Sequence, residues 1–190
     1  VSLSSGYLWL ALILVAIAAL VLGMGLPATA SYIVLSVMTG PALQELGLAL
    51  ITAHMIIFWL AQTSNVTPPI ALAAFAGAGV AGAPPMKTAV EAFKLSNGLF
   101  VIPLLMAYTP LLFVDELEWF DVAGAAAGGF VMIIMLAVFL ERFAFCRLNR
   151  FELVSVPVCI MLIIFPASYT KLLGAALAFG LVLLNWRRAT

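Results

Sequence analysis

The sequence predicts an all-α fold: a polytopic transmembrane helical protein with a re-entrant helical hairpin and a discontinuous, unwound transmembrane helix. Three observations predict it. Of the 190 residues, 66% are hydrophobic and 8% charged, with mean hydropathy +1.25, whereas soluble domains carry about 25% charge. Apolar runs recur along the whole length, as in helical membrane proteins, without the alternating segments of a membrane β-barrel. Two of those runs are interrupted by Gly and Pro, at LGMGLPATAS (Leu22 to Ser31) and TSNVTPPIAL (Thr63 to Leu72).

The elements follow in order. Tyr7–Gly23 holds 17 residues, about 25 Å as a helix and short of a full span. It meets Gly-Met-Gly-Leu-Pro and turns straight into Thr29–Leu43 with no polar loop, which predicts a re-entrant hairpin over residues 7–43. Leu48–Gln62 and Ile70–Gly82 together run 35 residues, about 52 Å if straight. That is too long for one span, and the 13 residues of Ile70–Gly82 are too few for their own. One crossing over 48–82, unwound near Asn65–Thr67, fits both facts, because Pro68 and Pro69 remove two amide donors and crowd the preceding turn.

The segment MKTAVEAFKL is amphipathic and predicts a helix over 84–97 lying on the cytoplasmic surface. A span over 98–114 completes a transport-type region, 1–114. Val122–Leu140, Leu153–Phe165 and Leu172–Trp186 predict further transmembrane helices in 115–190, the second borrowing Phe151 and Tyr169 for length. Small residues in Ala74–Ala83 and Gly124–Gly128 suit close helix contacts. Trp9, Trp59, Trp119 and Trp186 fall mostly near span ends, where aromatic belts form. The chain starts at Val1, on the edge of an apolar run and without a signal-peptide n-region, so a C-terminal portion of a longer polypeptide is expected.

Charge placement orients these spans. With one crossing between each group, Lys87 and Lys94, then Arg142, Arg147 and Arg150, then Arg187 and Arg188 share one side. The acidic run Asp115–Asp121 takes the other, and Lys171 alone is misplaced. The positive-inside rule makes the basic side, and the C-terminus, cytoplasmic. The hairpin then has both ends outside and its tip pointing inward. Net charge is zero, so no nucleic-acid partner is suggested. Cys146 and Cys159 have neither metal-ligand nor redox spacing.

The breaks carry the chemistry. Irregular backbone at membrane depth leaves amides and carbonyls unpaired, and it survives only when buried in protein or lining a cavity. Secondary transporters use such segments as sites, with half-helix N-termini facing anions and freed carbonyls facing cations. The tip offers carbonyls of Leu22, Gly23, Met24 and Gly25. Its second arm opens with Pro27, Thr29 and Ser31, an N-terminus with a positive dipole. The broken span offers Ser64, Asn65 and Thr67, and carbonyls that Pro68 and Pro69 leave without amide donors. Two clusters of neutral oxygens suit a small hard cation. No Asp or Glu lies within an apolar stretch, and buried acids commonly serve proton coupling, so Na+ fits better than H+. His54 is the lone histidine; it reads either as a proton relay or, the better reading, as a group hydrogen-bonded to a neighbouring helix.

Two other classes compete. A membrane enzyme would need a nucleophile with a base, or metal ligands, at one depth, and one His without an intramembrane acid supplies neither. A structural or accessory membrane subunit would use the breaks as packed kinks with no ion site.

The run GMGLPATASYIVL, a P-A-L-x-E-L-G turn, and AHMIIFWLAQTSNVTPPIALAAFAGAGVAGAPPMKTAVEAFKL together resemble the large membrane subunit of tripartite ATP-independent periplasmic (TRAP) transporters. The nearer likeness is to the fused permeases that work with TAXI-type binding proteins, over about Tyr7 to Phe113. The resemblance implies a permease of the bacterial inner membrane, importing small organic anions (carboxylates) by a Na+-driven, elevator-type mechanism. Its partners would be a periplasmic TAXI-type substrate-binding protein, the remaining N-terminal part of the permease and membrane lipid, with no organic cofactor. By position, Gly23, Met24, Gly25, Thr67 and Pro68 would bind Na+, mostly through backbone oxygens. Pro27, Thr29, Ser31, Ser64 and Asn65 would contact the anion. Many members outside the TAXI type carry an Asp at the position of Pro27, so a role for that acid does not transfer.

Overall fold

A computed structural model describes residues 4–109, 112, 119–164 and 168–189, and within them every side chain except those of 164, 168, 169, 171, 172 and 189. The described secondary structure is helical, apart from one isolated bridge between Phe143 and Arg147. Most of the acidic run, Asp115 to Glu118, lies outside the described residues. The chain separates into two compact units, residues 1–107 and 108–190.

In the first unit, helices α1 (Leu8–Gly23), α2 (Ala28–Glu45) and α3 (Leu50–Ala61) pack on one another. Each buries one stripe: Ala11, Leu12, Val15 and Ala19 from α1, Ser31 and Leu35 from α2, and Ala53, Ile56, Ile57 and Leu60 from α3. The opposite face of α1 carries Trp9, Ile13, Ile17 and Val21, all exposed. A helix apolar all round is what a lipid environment allows and water does not. The turn between α2 and α3 follows from Gly47 at φ +95°, which spares the steric cost a side chain would meet. There the Gly47 amide donates to the Gln44 carbonyl (2.9 Å) and the Leu48 amide to the Leu43 carbonyl (3.2 Å), a paired C-terminal cap.

His54 faces that packing. Its Nδ1 lies 3.0 Å from the Tyr32 hydroxyl of α2, and Tyr32 also meets Phe58 edge-on. The lone histidine therefore joins α2 to α3.

Beyond α3 the helical ladder is interrupted between Ala61 and Leu72, with one 3-10 turn at Thr63–Asn65. Helix α4 (Leu72–Ala81) then packs on α5 (Pro85–Leu95) through Ala71, Ala74 and Ala89. The close contact here comes from alanines, since a Cβ at Gly77 or Gly79 would meet nothing within 4 Å. α5 runs into α6 (Gly98–Tyr108) through Ser96 and Asn97, whose carbonyls accept the Leu99 and Phe100 amides. The surface helix and the following span expected from the sequence thus form one run, Pro85–Tyr108. Its 24 residues are long and apolar enough to cross a membrane. The helix expected to reach 114 ends at Tyr108; residues 110, 111, 113 and 114 lie outside the described ones.

The second unit contains α7 (Trp119–Glu141), α8 (Arg150–Ile164) and α9 (Ser168–Ala189). α7 is the other described helix long and apolar enough to cross. The core joins Met135, Val156, Cys159, Ala178 and Leu181, and Gly174 admits the Cys159 carbonyl and Ile163 side chain of α8. Polar groups gather at one end of this unit. Asn185 and Glu152 are buried there, and the Arg188 Nη2 donates to both Glu152 carboxylate oxygens, at 2.6 and 2.8 Å.

Candidate functional site

The first break is a tight reversal. Gly23 ends α1, and the Met24 amide donates to the Val21 carbonyl (3.3 Å) while Gly25 and Leu26 amides both donate to Leu22 (3.1 Å each). The Leu22 carbonyl, expected to face a cation, is instead used within the turn. Pro27 is extended (φ −57°, ψ 151°) and α2 restarts at Ala28, a position where a ring with fixed φ suits the chain.

The second break is built by hydroxyls that bond back onto the chain. Thr63 Oγ1 donates to the Leu60 carbonyl (2.7 Å), Ser64 Oγ to Ala61 (3.4 Å) and Thr67 Oγ1 to Thr63 (2.6 Å). Such bonds let Ser and Thr stand in for missing ladder amides. Pro68 and Pro69, joined by a cis bond, deny the Ser64 and Asn65 carbonyls their ordinary i+4 donors. The reversal ends at Ala71, fully buried at φ +37°, a region that side chains occupy only when their surroundings hold them there.

The two breaks meet. Gly23 is buried, and a Cβ added there would fall on Cβ and Oγ of Ser64, so only glycine permits this approach of α1 to the 3-10 turn. Beside the contact lies a cavity of about 270 Å3, lined by Ile17, Leu20, Val21, Met24, Ser64, Thr67, Pro68, Pro69 and Ile70. Among the described residues its walls are apolar apart from the two hydroxyl groups, and no charged side chain lines it. Because Ser64 and Thr67 spend their protons on backbone carbonyls, any further ligand meets oxygen lone pairs. That chemistry favours a cation over an anion.

Of the residues singled out in the sequence, Gly23, Met24, Ser64, Thr67, Pro68 and Pro69 come together at this place. The others do not join them. Gly25, Pro27 and Thr29 are exposed at the tip. Asn65 Nδ2 donates to Gln62 Oε1 (3.3 Å). Ser31 is fully buried, and its Oγ has no hydrogen-bond partner. Ile17, Leu20 and Val21 were missed as wall residues. Their spacing with Met24, at i, i+3, i+4 and i+7, marks a single helix face and was the available signal. Among the described residues no three His, Cys, Asp or Glu side chains group as metal ligands.

Residues 1–112 match the family described as "Tripartite ATP-independent periplasmic transporter, DctM component". No curated protein and no solved structure matches the chain.

Proposed function

We propose that this chain, which belongs to the DctM component family of tripartite ATP-independent periplasmic transporters, holds a Na+ site where its two helix breaks meet. The family places it among integral inner-membrane transporter components rather than an enzyme class, with a periplasmic binding protein and a small membrane subunit as partners. The finer reading is a Na+-coupled, elevator-type importer of small carboxylates, served by a TAXI-type binding protein and completed by a remaining N-terminal part. In it α1 and α2 form a re-entrant hairpin, the α3–α4 break lies at the same depth, and the C-terminus is cytoplasmic.

One observation carries the ion site: Gly23 closes on Ser64 beside a cavity into which Met24, Ser64, Thr67 and Pro68 all face. Hydroxyl oxygens with their protons engaged, and carbonyls next to prolines, are hard neutral donors of the kind Na+ accepts. The α2 N-terminus, which starts after exposed Pro27 and includes exposed Thr29, offers first-turn amides and a positive dipole end to a carboxylate. The anion contact is proposed at this end alone: Ser31 is buried in the packed face of α2, and Ser64 and Asn65 already donate to the Ala61 carbonyl and Gln62 Oε1.

The test is thermal unfolding of the purified protein in NaCl against KCl. A ligand at a hundredfold excess over its Kd adds about 2.7 kcal/mol, so Na+ raises the melting temperature and K+ does not. Thr67→Ala removes most of that rise, and Thr67→Ser, which keeps the oxygen, restores it. Equal melting in the two salts would remove the ion site and leave packed kinks as the reading. A full Na+ response in Thr67→Ala would move the site elsewhere.

A further inference from the structure

We propose that the loop between α7 and α8 binds the phosphate headgroup of an anionic phospholipid. None of its residues belongs to the proposed Na+ site. α7 is long enough to cross a bilayer and ends at Glu141, so Arg142 follows the hydrocarbon segment directly, at the depth of lipid headgroups.

The loop is a rigid scaffold. Phe143 and Arg147 form an antiparallel bridge, and the Leu148 amide donates to the Arg142 carbonyl at 3.0 Å. Asn185 of α9 accepts the amides of Phe145 and Cys146 on Oδ1, both at 3.0 Å, and donates to the Cys146 carbonyl at 3.4 Å. Glu152 accepts the Asn149 amide at 2.8 Å, and Arg188 reaches the Arg147 carbonyl at 3.5 Å. These bonds hold the loop backbone and leave its arginine side chains outward. Among the described residues the guanidinium groups of Arg142 and Arg147 have no hydrogen-bond or ion-pair partner.

Both arginines line an open cavity of about 530 Å3 with Glu141, Phe143 and Leu148. Two cations against one acid leave the cavity positive, and the guanidinium fork matches a phosphate bidentately. The apolar part of the lining chooses between a free phosphate and a lipid. Phe143 lines the cavity with Leu148 and is 52% exposed, an apolar surface that water disfavours and that the glycerol and acyl region of a lipid would cover.

The experiment counts lipid bound to the full chain in nonionic detergent by native mass spectrometry. Phosphatidylglycerol is expected to bind about tenfold or more tightly than phosphatidylcholine, and inorganic phosphate at equal concentration is expected not to displace it. Arg142→Gln with Arg147→Gln reduces phosphatidylglycerol binding about tenfold, and Arg147→Gln alone gives part of that loss. Lys87→Gln, which removes an equal charge elsewhere, leaves binding unchanged. Both arginines are exposed, and an unchanged melting temperature checks that the variants fold. Equal binding of the two lipids, wild-type binding by the double variant, or full displacement by inorganic phosphate would each overturn the proposal.

Discussion

Gly23→Ala is expected to destabilise the protein by about 1–3 kcal/mol, the usual cost of overfilling a packed site. Helix propensity alone points the other way, since Ala exceeds Gly by about 1 kcal/mol within a helix. The clash wins because the added methyl would occupy the space of Ser64 Cβ and Oγ, and neither is the far end of a flexible chain. Either α1 or the 3-10 turn must move, and the wall of the cavity moves with it. Gly25→Ala is the control: a Cβ there meets nothing within 4 Å, so melting should hardly change. Ser64→Gly introduced with Gly23→Ala should recover most of the loss, giving the non-additivity of residues in contact. If Gly23→Ala melts like Gly25→Ala, the close approach of the two breaks does not exist in solution.

Asn185→Ala is expected to cost about 2–4 kcal/mol and to loosen the α7–α8 loop. The side chain satisfies two backbone amides and one carbonyl lying 39 or 40 positions earlier, and each buried group left unpaired costs about 1–3 kcal/mol. Water entering the loop would recover part of the loss. Asn185→Asp should not rescue. It keeps the two acceptor bonds but replaces Nδ2, now 3.4 Å from Glu152 Oε2, with an oxygen, setting two carboxylates against each other. Thermal unfolding with proteolysis of residues 142–149 reads both effects. A change below about 0.5 kcal/mol, the range of surface substitutions, would show that the tether contributes nothing.

Much of the fold was written in local pattern. The Gly-Met-Gly-Leu-Pro reversal and the Pro-Pro break required only the rule that proline cannot donate an amide, and both interrupt helices where expected. What was not legible depended on contacts between segments distant in sequence. Nothing in the chain announces that Gly23 rests on Ser64, because either glycine of the tip could have served. Ser31 was expected to face a substrate. Its helical phase, one turn before Leu35, turns it into the packed face of α2 with that residue instead. The hydroxyls of Thr63, Ser64 and Thr67 could be placed at the break but not oriented, since their bonds to Leu60, Ala61 and Thr63 exist only once α3 has ended. Nothing in the sequence sets Asn185 apart at the end of the apolar run Leu172–Trp186. Its role appears only when the α7–α8 loop folds over it.

Uptake of Na+ by a water-accessible cleft between the two breaks can be read at Met24, which is about half exposed and lines that cleft. With Cys146 and Cys159 replaced, Met24→Cys in proteoliposomes should react with a hydrophilic thiol reagent, and Na+ should slow the reaction while K+ at the same concentration does not. Labelling at one rate in both salts, or no labelling in either, would contradict it.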